Sequence, residues 1–236
     1  MNQTIVLIGG YNSWWGTYLK PARDLRDLTG LPAVGVRLWP WHWWSANRRQ
    51  DATRMLARVA KTVADARHKY GAGRVILVGH SAGGLLARLY VSDQPVWGQT
   101  YAGLEHVSAI ITLGTPHSTL HSSGNGWYLT DTANRLAPAA TYAPRISYRS
   151  VAGRLMKGDR HGTRLQRRAY RAYQYFAGRG DVWGDGVVPV ANAQLEGAQQ
   201  VILDGIAHGR RTNADWYAGS RDILRRWWPS GDGRGT

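Results

Sequence analysis

Arg74-Val75-Ile76-Leu77-Val78-Gly79-His80-Ser81-Ala82-Gly83-Gly84-Leu85-Leu86-Ala87-Arg88-Leu89-Tyr90 runs from an apolar strand through a Gly-x-Ser-x-Gly turn into a helix. A turn tight enough to lift a serine hydroxyl above a sheet has no room for side chains two residues to either side. Gly79 and Gly83 meet that demand. The helix that opens after Ser81 aims its free N–H groups and positive dipole end at the hydroxyl. The stretch therefore has the form of a nucleophile elbow. Its plain alternative is a glycine-rich strand-to-helix connection with an idle serine.

Working outward, short apolar runs at 4–8, 33–39, 108–113, 146–151 and 201–203 read as further strands. Polar, helix-compatible stretches lie between them. Residues 51–70 repeat Met55, Leu56, Val59, Ala60, Val63 and Ala66 at helical spacing. Trp216, Ser220, Ile223 and Trp227 make a closing helix, stopped by Pro229. Pro40-Trp41-His42-Trp43-Trp44 reads as an aromatic loop. Apolar strands alternating with helices give a mostly parallel sheet covered on both faces, an α/β class three-layer α/β/α sandwich. Two stretches, 117–144 and 154–184, break the alternation and read as cap-like insertions. One domain over 1–229 and a glycine-rich tail over 230–236 are expected.

A chain of 236 residues with 43% hydrophobic and 19% charged residues suits one such domain with a full core. It has no cysteine, which excludes disulfides, cysteine nucleophiles and thiolate zinc sites. No stretch reaches the ~20 apolar residues of a membrane span, and the first residues lack a basic n-region. A cytoplasmic location is expected, with peripheral membrane contact as the variant. The formal charge is +15, and Lys20, Lys61, Lys69 and Lys157 apart, every basic side chain is arginine. That field favours anionic partners. The twelve tryptophans beside it suit a membrane–water interface, a substrate pocket or a core equally.

A serine hydroxyl needs a base to take its proton and an acid to orient that base. Of the downstream histidines His106, His117, His121, His161 and His208, only His208 follows a late strand-like run and precedes the final helix. For the acid, Gly184-Asp185-Gly186-Val187-Val188-Pro189 sets Asp185 in a glycine-flanked turn. Asp181 and Asp204 are its competitors. The order Ser81, Asp185, His208 is the one this strand–helix architecture requires.

The run Leu195-Glu196-Gly197-Ala198 to Gly205-Ile206-Ala207-His208, with the Asp-Gly-x-Val-Pro turn, resembles small bacterial triacylglycerol lipases and esterases of the α/β-hydrolase fold. Leu113-Gly114-Thr115-Pro116 resembles their Leu-Gly-Thr-Pro strand end. The resemblance implies carboxylic esters, lipids above all, as substrates. It also implies an oxyanion hole of two backbone N–H groups. One is that of Ala82. The other comes from the loop after the first strand, at Tyr11, with Gly10 or Asn12 as alternatives. Those lipases carry a histidine and a glycine there, where this chain has Gly9-Gly10-Tyr11. His80 and His117 are expected to pack around the site.

Trp41, Trp43 and Trp44 are expected to bind substrate at the rim. The helix over 162–176 carries Leu165, Ala169, Tyr173 and Phe176 on one face and arginines elsewhere, which suits a cap or an anionic membrane surface. No cofactor and no metal are implied, no specific nucleic-acid signature is present, and a monomer is expected. The expected function is ester hydrolysis through an acyl-enzyme. An acyltransferase with the same triad, and a non-catalytic basic binding module, are the alternatives.

Overall fold

The computed structural model describes residues 2–120, 128–210 and 212–229. Strand β1 (Gln3–Ile8) leads through a 3-10 turn (Trp15–Tyr18) into α1 (Leu19–Thr29). Next come β2 (Ala33–Gly35), α2 (Pro40–Arg49), α3 (Thr53–Tyr70), β3 (Arg74–His80) and α4 (Ala82–Tyr90). A short α5 (Gly103–His106) precedes β4 (Val107–Leu113), followed by α6 (Tyr128–Leu136) and β5 (Ser147–Arg154). The remainder is β6 (Met156–Lys157), α7 (Arg164–Ala177), β7 (Trp183–Gly184), α8 (Val190–Ala193), β8 (Gln199–Asp204) and α9 (Arg221–Trp227).

Six strands form one parallel sheet in the order β2-β1-β3-β4-β5-β8, and β6 and β7 pair apart from it. Alternation along β1 divides the core. Val6 and Ile8 pack with α2, α3, α4 and α6, whereas Ile5 and Leu7 pack with α1 and α9. That is the three-layer sandwich expected. The paired ends Ile8, Gly79–His80, Leu113 and Val151 lie level, so the loops after β1, β3 and β4 meet at one edge. That edge is where ligands bind on open parallel sheets.

Two local readings change. The second strand pairs only over Ala33–Gly35. Val36 still donates to Leu7 (2.8 Å), but the Leu38 N–H turns back to the Val36 carbonyl (2.8 Å) and leaves the sheet. Residues 40–44, read as a loop, open helix α2 instead. Pro40 takes the first helical position, where its missing N–H and fixed φ are favourable. The tail 230–236 and residues 121–127 of the first insertion lie outside the described residues.

Candidate active site

The elbow forms because its backbone is pinned on three sides. Ser81 takes φ +53° and ψ −130°, a conformation an L-residue avoids. Its N–H donates to the Leu113 carbonyl (2.8 Å), and its own carbonyl accepts from the Thr115 hydroxyl (2.8 Å) and the Gly84 N–H (3.0 Å). Thr115 of the Leu-Gly-Thr-Pro segment thus serves the turn directly. A Cβ on Gly79 would run into the backbone of Gly83 and Gly84, and one on Gly83 into the carbonyls of Ile8 and Gly9. These are backbone collisions, so glycine is required at both places.

Three side chains converge there. Ser81 Oγ lies 3.0 Å from His208 Nε2, and His208 Nδ1 lies 2.7 Å from Asp185 Oδ2. The Asp185 carboxylate is buried and the His208 ring retains 16% exposure. Asp185 Oδ1 accepts from the N–H groups of Val187 (2.9 Å) and Val188 (2.7 Å), which fixes the turn. Its Oδ2 accepts a further bond from the Tyr217 hydroxyl (2.8 Å), which itself accepts from Gly153 N–H (2.7 Å). Burial first, and then the Asp185 charge, hold the Tyr217 phenol well above its ordinary pKa. It is therefore a fixed donor. The rival carboxylates are engaged elsewhere: Asp181 pairs with Arg179 (3.0 Å) and Asp204 with Arg154 (2.5 Å), both on the surface.

His80 does more than pack. Its Nε2 lies 2.7 Å from the His208 carbonyl, which can only accept, so Nε2 carries the proton. Its Nδ1 then accepts from the Tyr18 hydroxyl (2.8 Å), which in turn accepts from Gly10 N–H (3.0 Å). Burial above all, and the neighbouring His208, lower the His80 pKa to about 3, so the ring is neutral. One bridge of side chains thus ties the loop after β1 to the backbone of His208. Nothing in the local sequence around His80 or Tyr18 signals this, because the partners are 62 and 128 residues away.

His117 is buried between β4 and α4. Its ring contacts the Thr112 hydroxyl (2.9 Å) and the buried Arg88 guanidinium (3.3 Å), and burial holds its pKa well below the histidine range. Gly10 directs its N–H to the Tyr18 hydroxyl (3.0 Å), so of the three residues expected to offer a second oxyanion donor, Tyr11 and Asn12 stay as candidates. A Cβ on Gly10 would meet the Ser81 side chain at 2.7 Å, so this loop borders the nucleophile.

The tryptophans separate. Trp43 is fully buried, so its expected place at the rim is corrected: α2 turns positions 43 and 46 into the core and 41 and 44 outward. Trp41 and Trp44 are exposed, and Trp44 Nε1 donates to Asn12 Oδ1 (3.0 Å) beside the β1 loop. The arginine-rich α7 buries Ala169, Tyr173 and Phe176 against the domain and leaves Leu165 out. Its apolar face is taken, which removes the reading of α7 as a membrane-lying helix. Tyr173 accepts from Gly186 N–H (2.7 Å) and so braces the turn that carries Asp185. Among the described residues no group of His, Asp or Glu side chains converges as a metal site. No helix among them is long and apolar enough to cross a membrane.

Sheet order, elbow and loop edge together define an α/β-hydrolase fold. Comparison with known proteins agrees. A PGAP1-like alpha/beta domain matches residues 46–138, which hold α3, the elbow and β4. A gene product of Listeria innocua of known crystal structure superposes with a TM-score of 0.51 at 14% identity, over 97% of this chain and 93% of its own. Phospholipase PlaB from Legionella pneumophila superposes with a TM-score of 0.54 at 13% identity, over 89% of this chain. The same phospholipase in complex with thio-NAD gives 0.55 at 13% identity. The chain spans about half of that protein, 54% in the first case and 56% in the second. No curated protein matches the chain. The chain thus has the three-layer α/β-hydrolase fold.

Proposed function

We propose that this chain is a serine hydrolase of carboxylic esters, with lipid acyl esters as the substrate class. The observation that carries the reading is the unbroken line from Ser81 Oγ through His208 to Asp185, at 3.0 and 2.7 Å, on a strained elbow. His208 Nε2 takes the hydroxyl proton as Ser81 Oγ bonds to the ester carbonyl carbon. Asp185 holds Nδ1–H and stabilises the imidazolium that forms. The N–H groups of Ala82 and Tyr11 receive the oxyanion, worth roughly 3 kcal/mol per donor in such sites. The leaving alkoxide departs with the proton from His208, which leaves Ser81 acylated. Water, deprotonated by the same histidine, then releases the acid and restores the serine.

The lipid class is supported by the exposed indoles beside the site and by the phospholipase among the structural neighbours. A fluorophosphonate probe followed by peptide mass spectrometry tests the chemistry. Labelling is expected at Ser81 and nowhere else, with turnover of p-nitrophenyl esters falling by about 10⁴-fold or more in Ser81→Ala. A folded protein that turns over esters but labels at another serine would refute the assignment. An ester panel of rising acyl length tests the class: preference for short soluble esters removes lipids and leaves an esterase.

A further inference from the structure

The outward face of α2 joins the active-site loop to a cationic groove. Asn47 Nδ2 donates to the Tyr11 hydroxyl (3.0 Å), and Trp44 donates to Asn12, so α2 sits on the loop that borders Ser81. Around that contact the surface is aromatic: Tyr11 and Trp14 are each 49% exposed, Trp41 54% and Trp44 58%. Trp41 stacks on Trp39 at 4.7 Å, which holds the indole rigid at the surface. On its other side Trp41 lines a groove of about 790 Å³ between α2 and α3, whose lining includes Arg49, Arg54, Arg58 and Lys61. The one carboxylate in that lining, Asp51, accepts from the Thr53 N–H. None of the three arginines has a carboxylate within ion-pair distance among the described residues.

Exposed indoles beside unpaired guanidinium groups are the composition of a membrane–water interface. The ring enters the headgroup layer, and the cation meets lipid phosphate. We propose that this face docks on an anionic lipid bilayer, with the indoles of Trp41 and Trp44 in the interface and the groove cations on headgroups. The charge complementarity is local as well as global, since the whole chain carries +15. A nucleic-acid duplex would use the cations but leaves the rigid, outward indoles without a role, and a single strand, which could stack bases on them, is set against the bilayer in the test. Docked this way, the mouth beside Tyr11 lies against the bilayer. This purpose rests on the lipid-ester reading of the Ser81 site, while the docking itself does not need catalysis.

Flotation of the whole chain with vesicles of phosphatidylcholine, or of phosphatidylcholine with phosphatidylglycerol, tests it. Wild type and Ser81→Ala are expected to float equally with the anionic vesicles, at least about tenfold more tightly than with neutral ones. High salt is expected to release them. Reversal of the groove in the triple variant Arg49→Glu, Arg54→Glu, Arg58→Glu is expected to weaken flotation about tenfold or more and to leave p-nitrophenyl butyrate turnover unchanged. Trp41→Ser with Trp44→Ser is expected to weaken it severalfold at fixed charge. Equal binding to both vesicles, or undiminished binding by the triple variant, overturns the proposal. So does retardation of single-stranded or duplex nucleic acid at lower protein concentration than vesicle binding needs. Turnover of soluble ester without flotation overturns the docking alone. Flotation of a protein that turns over no ester supports the docking and overturns only the hydrolase reading.

Discussion

Ser81 holds φ +53° with a Cβ attached, and such a backbone costs on the order of 1–3 kcal/mol. The cost is sustained by the bonds around it: Leu113 carbonyl on its N–H, Thr115 and Gly84 on its carbonyl. Removing the hydroxyl alone, in Ser81→Ala, keeps the strain. Ser81→Gly releases it, and the extra freedom of glycine in the unfolded chain takes back part of the gain. We therefore expect both variants to be inactive, with Ser81→Gly the more stable by about 1 kcal/mol in urea unfolding. Equal midpoints for the two would mean that the elbow is unstrained. At this scale the sequence was informative wherever a residue's neighbours in the chain set its role. Asp185 lies in a Gly-Asp-Gly turn, and Ser81 lies between required glycines. It was silent on Tyr217, Tyr18 and Tyr173, whose hydroxyls hold the site from helices and loops remote in sequence.

Elements were legible where one apolar stripe met one sheet face, as for α3, with Met55, Leu56, Val59, Val63 and Ala66 all buried. The α2 segment was misread because four tryptophans from 39 to 44 mask the helical period. The signal was Pro40 at the first helical position and the Trp43/Ala46 pair inward. The packing of α4 on α6 was hidden altogether, because it turns on a buried cation. Arg88 is 1% exposed and gives its guanidinium to the carbonyls of Ala133 (3.3 Å) and Ala137 (2.7 Å) and to Asn134 Oδ1 (2.9 Å). Ala137 lies just past the end of α6, whereas the Ala133 carbonyl also accepts from the Ala137 N–H (2.9 Å). Burial lowers the Arg88 pKa to about 10, which leaves the side chain charged at neutral pH. Arg88→Met fills the space but strands the Ala137 carbonyl and His117 Nδ1, so a loss of about 3 kcal/mol is expected in chemical unfolding. Arg88→Lys should recover little, because the three acceptors meet Nη2 at the far tip of the guanidinium, beyond the reach of the shorter lysine, and the Nη1 contact with His117 is lost. A Lys variant as stable as wild type would mean that charge, not the reach of the guanidinium, joins α4 to α6.

In the whole molecule two acid-sensitive terms act in the same direction. Strand order and layering followed from the alternation of apolar runs, whereas the burial of neutral histidines did not, because it depends on which loops close over them. Burial lowers the pKa of His80 to about 3, against 6.5 for a free histidine, and that of His117 well below the same value. Both rings are neutral when folded, and both gain a proton below 6.5 when unfolded. The unfolded state then binds more protons, so stability is unaffected by them above pH 6.5 and declines as the pH falls from 6.5 toward 3. Each contributes a slope of up to about tenfold in the folding constant per pH unit. The net charge of +15 rises over the same range and adds self-repulsion. Salt separates the two: at about 0.5 M the screening length is roughly 4 Å, which quenches repulsion across the surface but not desolvation of a buried ring. Urea unfolding between pH 7 and 5 in that salt is expected to retain a declining stability for wild type. In His80→Gln, which keeps a donor at the His208 carbonyl, the decline should be shallower by up to one proton's slope. If His80→Gln declines as steeply as wild type, the acid lability lies in the carboxylates and not in the histidine that braces His208.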